Sequence, residues 1–399
     1  MIIVSSISIC FLSIVGFFLS LWIVISAPTY FLLPLGVGAP EISPLLLIIN
    51  TIAFLLTIIY WLVLKTSNLS LVCICLICSL LGVILSSLPQ SQFNKTDRQF
   101  KTEIETVLGK DYLSKTPQNV RQKMRAKPFV FKDLITGIPR AKVKIERDIT
   151  FARPDNVTLK LNTYQPWQSG KYPTIIIIYG GAWRTGSPNN DEQFSCYLAE
   201  RGYSVIAIDY RHAPKYKFPT QLEDVKTAFH YIYDNAEKFA SDRDKIVVLG
   251  RSAGGHLALL AALQSELSFK GIIGYYPPID LPAAYRNPPI PDPINTRKVL
   301  QEFIGGNPDL LPDLYQQASP INYVKKDLPP ILLISPLRDR LVEAKYSKTF
   351  ALQLKEKNNL VVLLEIPWAE HSFDAIFSGL SNQLVLYYTE RFIAYVLNN

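Results

Sequence analysis

The chain has 399 residues and carries 41 Lys and Arg against 33 Asp and Glu, a formal net charge of +8. The charges are unevenly placed: residues 1–94 contain two, Glu41 and Lys65, and the other 72 fall in the last 305 residues. This distribution argues against a wholly soluble chain and against a wholly membrane-embedded one. A disulfide scaffold is also excluded for residues 95–399, because they contain one cysteine, Cys196.

Three uncharged apolar runs occupy the N-terminal part, at 2–25, 43–64 and 69–88. Each has roughly the 20 residues that a helix needs to span a hydrocarbon core. A secretory signal peptide is the alternative for the first run, but that run lacks a basic start and two further runs follow it. The pattern predicts a multi-pass integral membrane protein, with an anchor of about three transmembrane helices at residues 1–90 closed by Pro89.

The basic residues predict the orientation of the anchor. Lys65 lies on one side of the three predicted spans, whereas Lys95, Arg98 and Lys101 follow the third span on the other side. Because cytoplasmic loops carry an excess of Lys and Arg, we expect the large C-terminal part in the cytoplasm.

A basic juxtamembrane linker is predicted at residues 91–141. The stretch 95–147 has 14 Lys and Arg against 6 Asp and Glu, and it either lies near an anionic leaflet or forms a solvated linker that contacts nothing. Residues 148–399 carry equal numbers of both signs. No nucleic-acid partner is expected, since no basic face belongs to the folded part.

Residues 142–399 alternate strand and helix patterns, which predicts an α/β fold: a mostly parallel twisted sheet with helices on both faces. A stretch with ten prolines at about 277–320 interrupts the alternation, and we expect this insertion to form part of a lid over a pocket. The predicted strands are 143–145, 157–164, 174–179, 203–209, 245–249, 271–276, 331–335 and 360–366. The predicted helices are 191–201, 219–239, 253–264, 343–357 and 373–397.

The segment Gly250-Arg251-Ser252-Ala253-Gly254 matches the G-x-S-x-G pattern. An apolar strand runs directly into it and an Ala- and Leu-rich helix runs directly out, so Ser252 is expected on a sharp strand-to-helix turn with its hydroxyl exposed. The pattern therefore predicts Ser252 as a nucleophile. The alternative is an ordinary turn in which the serine caps the helix.

A serine hydroxyl needs a base, and the chain has four histidines. The strand–turn–helix arrangement places the base after the serine in the chain, which excludes His212 and His230. His256 lies four residues past Ser252 on the same helix and is interpreted as structural. His371, which follows the last strand and opens the final helix, is the predicted base.

The predicted acid is Asp339, which follows the strand at 331–335 and would hold the tautomer of the His371 ring. The alternatives for Asp339 are a helix cap or an ion pair with a neighbouring arginine, and Glu343 is then the substitute acid. Oxyanion donors are predicted at Gly180 and Gly181, which follow the strand at 174–179, together with the N–H of Ala253. A plain glycine turn is the alternative for the glycine pair.

Together these motifs resemble a known family. Residues 142–399 resemble an α/β-hydrolase of the esterase/lipase branch with an HGGG-type motif, similar to hormone-sensitive-lipase-like and prenylcysteine-methylesterase-like carboxylesterases. The resemblance implies a Ser252–Asp339–His371 triad without metal or cofactor. It also implies a fold-bracing role for Asp209, Arg211, Pro219, Glu223 and Asp224. The matching stretches are YGGAW, DYRHAPKYKFPTQLEDV, LGRSAGGHLAL, PPILLISPLRD and AEHSF.

Two positions depart from that family. Tyr179 stands where histidine is usual, which bears on how the oxyanion loop is anchored. Ser335-Pro336 stands where His-Gly often precedes the acid, which bears on the loop that holds Asp339.

The hypothesis favoured by the sequence is a membrane-anchored serine hydrolase that acts on a carboxylic ester, either a small molecule or a lipid. An acyltransferase, an amidase or a peptidase would use the same triad. A non-catalytic binding protein that kept the fold is the hypothesis from another class, and the order of Ser252, Asp339 and His371 argues against it.

Overall fold

The computed structural model describes residues 2–64 and 68–399. Lys65, on which the predicted orientation partly rests, lies outside the described residues. The α-helices are α1 (Ile2–Leu21), α2 (Leu33–Glu41), α3 (Ser43–Leu64), α4 (Leu69–Leu108), α5 (Gln118–Arg121), α6 (Phe131–Thr136), α7 (Glu192–Glu200), α8 (Thr220–Asp234), α9 (Ala253–Leu263), α10 (Leu281–Arg286), α11 (Thr296–Ile304), α12 (Pro312–Gln317), α13 (Ala344–Glu356) and α14 (Leu380–Asn398). The strands are β1 (Val143–Ala152), β2 (Leu159–Pro166), β3 (Tyr172–Ile178), β4 (Ser204–Ile208), β5 (Ser241–Arg251), β6 (Gly271–Tyr275), β7 (Ile331–Pro336) and β8 (Val361–Ile366).

An eight-stranded sheet forms the centre of the C-terminal part, in the order β1-β2-β4-β3-β5-β6-β7-β8. The pairs β1–β2 and β2–β4 are antiparallel, and every pair from β4–β3 to β7–β8 is parallel. The run Thr174–Ile178 is fully buried because helices cover both faces of the sheet. The predicted α/β fold with a mostly parallel sheet is confirmed.

Six of the eight predicted strands agree with the observed bounds within two residues at each end. The other two, β1 and β5, are longer than predicted, because each extends beyond its apolar run. The prediction for the last helix is wrong at its start. Phe373–Ala375 forms a 3-10 turn, and α14 begins at Leu380. His371 therefore lies in a loop well before the helix.

Asn50 of α3 lies where α1, α3 and α4 meet. Its Nδ2 donates to Ser20 Oγ of α1 at 2.9 Å and to the carbonyl of Leu46 at 2.9 Å. Gly16 of α1 and Gly82 of α4 leave the space for this side chain, since a Cβ at either would come within 2.4 or 2.3 Å of Asn50 Oδ1. Small residues beside a shared polar group are typical of closely packed apolar helices.

Two of the described helices are long and apolar enough to span a membrane: the stretch Ser43–Val63 of α3, and α4. The described apolar stretch of α1, Ser6–Leu21, is shorter. Of the three predicted spans, two meet this criterion of length and composition.

The prediction that Pro89 closes the third run is wrong, because α4 continues through it to Leu108. The second half of α4 packs on the folded domain, where Phe100 and Ile104 are buried beside α14. The hydroxyl of Tyr388 in α14 donates to Asp97 Oδ1 at 2.6 Å. This burial offsets the lost hydrogen bond of a mid-helix proline, which costs about 3 kcal/mol.

The stretch predicted as a basic linker also contacts the folded domain. The side chain of Arg125 is 5% exposed, and its Nη2 donates to Asp133 Oδ2 at 3.0 Å and to Gln383 Oε1 of α14 at 2.6 Å. Arg125 therefore faces protein, and neither the solvated-linker interpretation nor the leaflet interpretation holds for its charge. The boundaries of the linker at 91 and 141 remain a prediction.

Candidate active site

Ser252 lies on the turn between β5 and α9. Its backbone has φ 50° and ψ −123°, a strained conformation for a residue with a side chain. The glycines on either side make the turn sterically feasible: a Cβ at Gly250 would lie 2.2 Å from the carbonyl oxygen of Gly254, and one at Gly254 would lie 2.1 Å from that of Ile178. The sequence therefore presents the Ser252 hydroxyl at the carboxyl end of the parallel strands.

The structure brings the three predicted side chains together. His371 Nε2 lies 2.9 Å from Ser252 Oγ, and His371 Nδ1 lies 2.7 Å from Asp339 Oδ2. Asp339 follows β7 and His371 follows β8, so both lie at the same edge of the sheet as the serine. With its proton on Nδ1, the ring donates to the carboxylate and accepts from the serine hydroxyl.

Asp339 is held in place despite the Ser335-Pro336 departure. Its Oδ1 accepts from the backbone N–H groups of Leu341 and Val342, both at 2.8 Å. The substitute acid Glu343 precedes α13 and pairs with Lys345 at 2.6 Å. Asp339, and not Glu343, is hydrogen-bonded to the His371 ring.

Gly180 and Gly181 follow β3 and line the same cavity as Ser252 and Ala253. A Cβ at Gly180 would lie 2.8 Å from the carbonyl oxygen of Arg251 and 3.1 Å from Ser252 Cβ. Gly181 has φ 139°, and a Cβ there would lie 2.0 Å from the carbonyl oxygen of Thr185. Both positions therefore require glycine. The absence of side chains lets the backbone of the loop after β3 approach Ser252 closely.

Tyr179, the other departure, points away from the cavity toward the end of β4. Its hydroxyl donates to Asp209 Oδ1 at 2.6 Å and lies 2.8 Å from His212 Nε2, while its ring stacks on Tyr210 at 4.6 Å. Burial, together with the neighbouring Tyr210 and Asp209, raises the pKa of Tyr179 well above its usual range. The phenol stays protonated and anchors the glycine loop through these contacts.

The remaining predictions concern structural residues. His256 is fully buried: Trp183 Nε1 donates to its Nδ1 at 3.2 Å, and its Nε2 contacts the carbonyl of Ala318 at 2.6 Å. Burial lowers the pKa of His256 to about 4, so the ring is neutral and both nitrogens are used. Arg211 forms a bidentate pair with buried Asp224, its Nε donating to Oδ2 at 2.9 Å and its Nη2 to Oδ1 at 2.6 Å, as expected for a brace between the end of β4 and α8.

A buried charged cluster next to the predicted triad was not anticipated from the sequence. Arg251 bonds Asp374 and lies 3.3 Å from Asp191, and Asp374 also accepts from the Tyr276 hydroxyl. Burial alone lowers the pKa of Arg251, but Asp191 and Asp374 raise it overall. The Tyr276 ring lies 4.5 Å from the His371 ring. The sequence did contain a signal for this cluster, because two of its charged residues lie close to predicted site residues. Arg251 is the variable residue inside the serine motif, and Asp374 is three residues past His371.

Glu370 is a second residue that sequence reasoning missed. Its Oε1 accepts from the backbone N–H of Arg340 at 2.7 Å and of His371 at 3.1 Å, so it ties the two loops that carry Asp339 and His371. Burial raises the pKa of Glu370 to about 7, with a smaller contribution from the nearby Asp339 charge.

A cavity of about 690 Å³ opens above Ser252, and its lining is mostly apolar. Such a volume is typical of a site for a small organic ligand. The proline-rich insertion contributes to this lining through Ile279, Leu281, Ile294, Val299 and Leu300, whereas its role as a lid remains a prediction. Within residues 2–64 and 68–399, no group of three or more His, Cys, Asp or Glu is arranged to hold a metal ion.

Comparison with known proteins finds similar chains among esterases. Residues 161–354 match the family described as BD-FAE. The chain is 34% identical over 224 residues to esterase LipC of Mycobacterium tuberculosis, an alignment that covers 51% of this chain and 54% of that protein. It is 29% identical over 226 residues to the probable carboxylic ester hydrolase LipM of the same organism, which covers 53% and 52%. The chain thus spans about half the length of these curated relatives.

Solved structures share the fold. The structure of an arylesterase matches with a TM-score of 0.54 at 21% identity, covering 71% of this chain and 99% of that one. Thermogutta terrifontis esterase 2 phosphonylated by sarin matches with a TM-score of 0.51 at 23% identity, covering 64% and 94%. The fold is that of the α/β-hydrolases.

Proposed function

We propose that the chain is a membrane-anchored serine hydrolase that cleaves carboxylic esters through Ser252, His371 and Asp339. The observation that carries this proposal is the continuous contact from Asp339 Oδ2 to His371 at 2.7 Å and from His371 to Ser252 Oγ at 2.9 Å. Both distances are within proton-transfer reach without any rearrangement.

The proposed reaction has two halves. Ser252 Oγ attacks the acyl carbon while His371 Nε2 takes the hydroxyl proton, and Asp339 stabilises the imidazolium that forms. His371 then gives this proton to the leaving alcohol, which leaves an acyl group on Ser252. A water molecule attacks that acyl carbon, His371 takes the proton from the water and returns it to Ser252 Oγ, and the free acid is released.

The negative charge on the carbonyl oxygen needs donors during both attacks. We assign them to the backbone N–H groups of Gly180, Gly181 and Ala253. This assignment is supported by the glycines' approach to Ser252 and by the position of Ala253 at the first turn of α9, where N–H groups are free of helical partners.

Hydrolysis of p-nitrophenyl acetate by full-length protein in detergent tests the proposal. We expect wild type to hydrolyse the ester and Ser252→Ala to lose turnover by about three orders of magnitude or more. Ser169→Ala is the matched control, because Ser169 is an exposed serine outside the cavity. Equal turnover by wild type and a folded Ser252→Ala variant would refute the proposed nucleophile.

The membrane anchor is part of the same proposal. It is supported by the two apolar helices of spanning length and by the packing of α1 against both around Asn50. Full-length protein is expected to remain in the membrane pellet after alkaline carbonate extraction, and its release into the supernatant would contradict the anchor.

The cytoplasmic location of the C-terminal part is tested by protease added to intact cells, which should leave this part uncut.

A lipid-like ester is the proposed substrate class. The apolar lining and the volume of the cavity support it, because an acetyl group alone would leave most of that space unfilled.

A further inference from the structure

The cavity above Ser252 has a wall that does not come from the α/β-hydrolase part of the chain. Tyr30, Leu33, Pro34 and Val37 line it, and all four belong to the connection between α1 and α3. We call these four residues the N-terminal wall. They lie more than 200 positions before Ser252 in the sequence, yet they share one cavity with it.

The N-terminal wall is a packed element of the fold. Leu33 and Val37 are buried and form a cluster with Trp22 and Ile23, against which Leu341 packs. Leu341 is two residues past Asp339, so the loop that carries the predicted acid also supports the wall. Arg340 Nε of the same loop donates to Ser26 Oγ at 3.2 Å.

A second attachment lies at the end of α2. Glu41 is fully buried, and its Oε2 accepts from the backbone N–H of Ser381 at 2.8 Å, in the first turn of α14. A Cβ at Gly379 would lie 2.4 Å from the same oxygen, so glycine is needed there for this approach. The two attachments fix the wall relative to Ser252.

We propose that the N-terminal wall is a substrate-binding surface that selects esters carrying a long apolar chain. This proposal rests on the proposed function. The wall presents apolar side chains to the cavity that the apolar residues of the proline-rich insertion also line, and a long alkyl chain would fill space that both surfaces border. Burial of each methylene of that chain is favourable, whereas an acetyl group offers a single methyl group for such burial.

Two pairs of variants test this role, each with a neighbour as control. Val37→Phe adds bulk inside the cavity, whereas Gly38→Phe adds the same ring one residue along, where a Cβ meets nothing within 4 Å. Tyr30→Ala removes an aromatic ring from the lining, whereas Phe31→Ala removes one that is 88% exposed outside it. Tyr30 is itself largely exposed, so this variant remains informative if Val37→Phe fails to fold.

The measurement is kcat/KM in detergent for p-nitrophenyl decanoate relative to p-nitrophenyl acetate, and for decyl acetate relative to ethyl acetate. We expect Val37→Phe to lower one of these ratios by about tenfold and Tyr30→Ala to lower the same ratio by about fivefold. The ratio that falls identifies whether the chain belongs to the acid or to the alcohol. Gly38→Phe and Phe31→Ala are expected to stay within about twofold of wild type.

The outcomes separate the two proposals. Wild type that hydrolyses none of the four esters contradicts the proposed function. Wild type that hydrolyses them, with both ratios unchanged in Tyr30→Ala and in folded Val37→Phe, overturns the role of the N-terminal wall and leaves the proposed function intact.

Discussion

Glu41 Oε2 accepts a hydrogen bond from the backbone N–H of Ser381 at 2.8 Å, which joins the N-terminal helices to the last helix of the chain. Glu41 Oε1 has no hydrogen-bond partner among the described residues, and the side chain is fully buried. A carboxylate accepting at the start of a helix is favourable, but complete burial disfavours its charge. Burial accordingly raises the pKa of Glu41 to about 8, even though the contacts with Ser381 lower it.

This raised pKa predicts a stability that depends on pH. The folded state keeps the proton on Glu41 up to about pH 8, whereas the unfolded chain releases it near the ordinary value of 4.5. The stabilising contribution is therefore complete below pH 4.5 and is lost as the pH rises to 8, by on the order of a few kcal/mol. In Glu41→Gln this contribution to the pH dependence should disappear.

Thermal unfolding of full-length protein in detergent between pH 5 and pH 8.5, roughly the window set by these pKa values, checks this prediction. The midpoint of wild type should fall toward high pH more steeply than that of Glu41→Gln. Glu146→Gln, which alters an exposed glutamate of β1, should follow wild type. Parallel curves for wild type and Glu41→Gln would show that Glu41 is already ionised across this range.

The two buried histidines should respond differently to truncation. His371→Ala removes the proposed base, so kcat should fall by at least about three orders of magnitude with a small change in the unfolding midpoint. His256→Ala leaves Trp183 and Ala318 without their shared partner and should cost about 2–4 kcal/mol of stability. Measurements of kcat and of denaturant unfolding on both variants check this. A comparable loss of kcat in the two would contradict the choice of base.

Gly180→Ala tests the proposed oxyanion donors. The new methyl group would meet the backbone of Arg251 and the Cβ of Ser252, which displaces the Gly180 N–H from the serine. Loss of one donor costs about 3 kcal/mol of transition-state stabilisation, so kcat should fall by about 100-fold with KM nearly unchanged. Gly38→Ala, whose Cβ meets open space, is the control. A lower affinity with full kcat would assign Gly180 to ground-state binding instead.

Asp374→Ala tests the buried charged cluster. The change leaves Arg251 buried with only Asp191 nearby, and it removes the acceptor of the Tyr276 hydroxyl. Breaking such a pair typically costs about 3–5 kcal/mol. Asp309→Ala removes the partner of an exposed arginine, Arg286, and should cost less than about 1 kcal/mol. Similar denaturant midpoints for the two variants would show that the cluster contributes little to stability.

Much of the site could be predicted because its signals are local. The motif around Ser252 lies between a strand and a helix whose periodicities are clear. The order of nucleophile, acid and base along the chain excludes His212 and His230, and the place of His256 on the helix after Ser252 leaves His371 as the base. Asp339 followed from the end of the preceding strand. These inferences needed no contact between distant segments beyond what a parallel sheet imposes.

The parts that were missed depend on tertiary contacts. Nothing in the apolar stretch around Leu33 and Val37 indicates that it lines a cavity with Ser252. Glu41 could be noted as a lone charge, but its partner is 340 positions away. A proline inside a helix is locally unfavourable, so Pro89 predicted a helix end from the sequence alone. The burial of Phe100 and Ile104, which outweighs this unfavourable free energy, depends on the tertiary fold.

Reaction with a fluorophosphonate probe, followed by peptide mass spectrometry, tests the central claim most directly. Attack on the phosphorus requires a serine whose proton is taken by a neighbouring base, so the adduct reports the activated nucleophile itself. We predict one adduct on the peptide that contains Ser252, formed in step with the loss of ester hydrolysis and absent in Ser252→Ala. An adduct on a different residue, or ester hydrolysis that persists with Ser252 fully modified, would contradict the account.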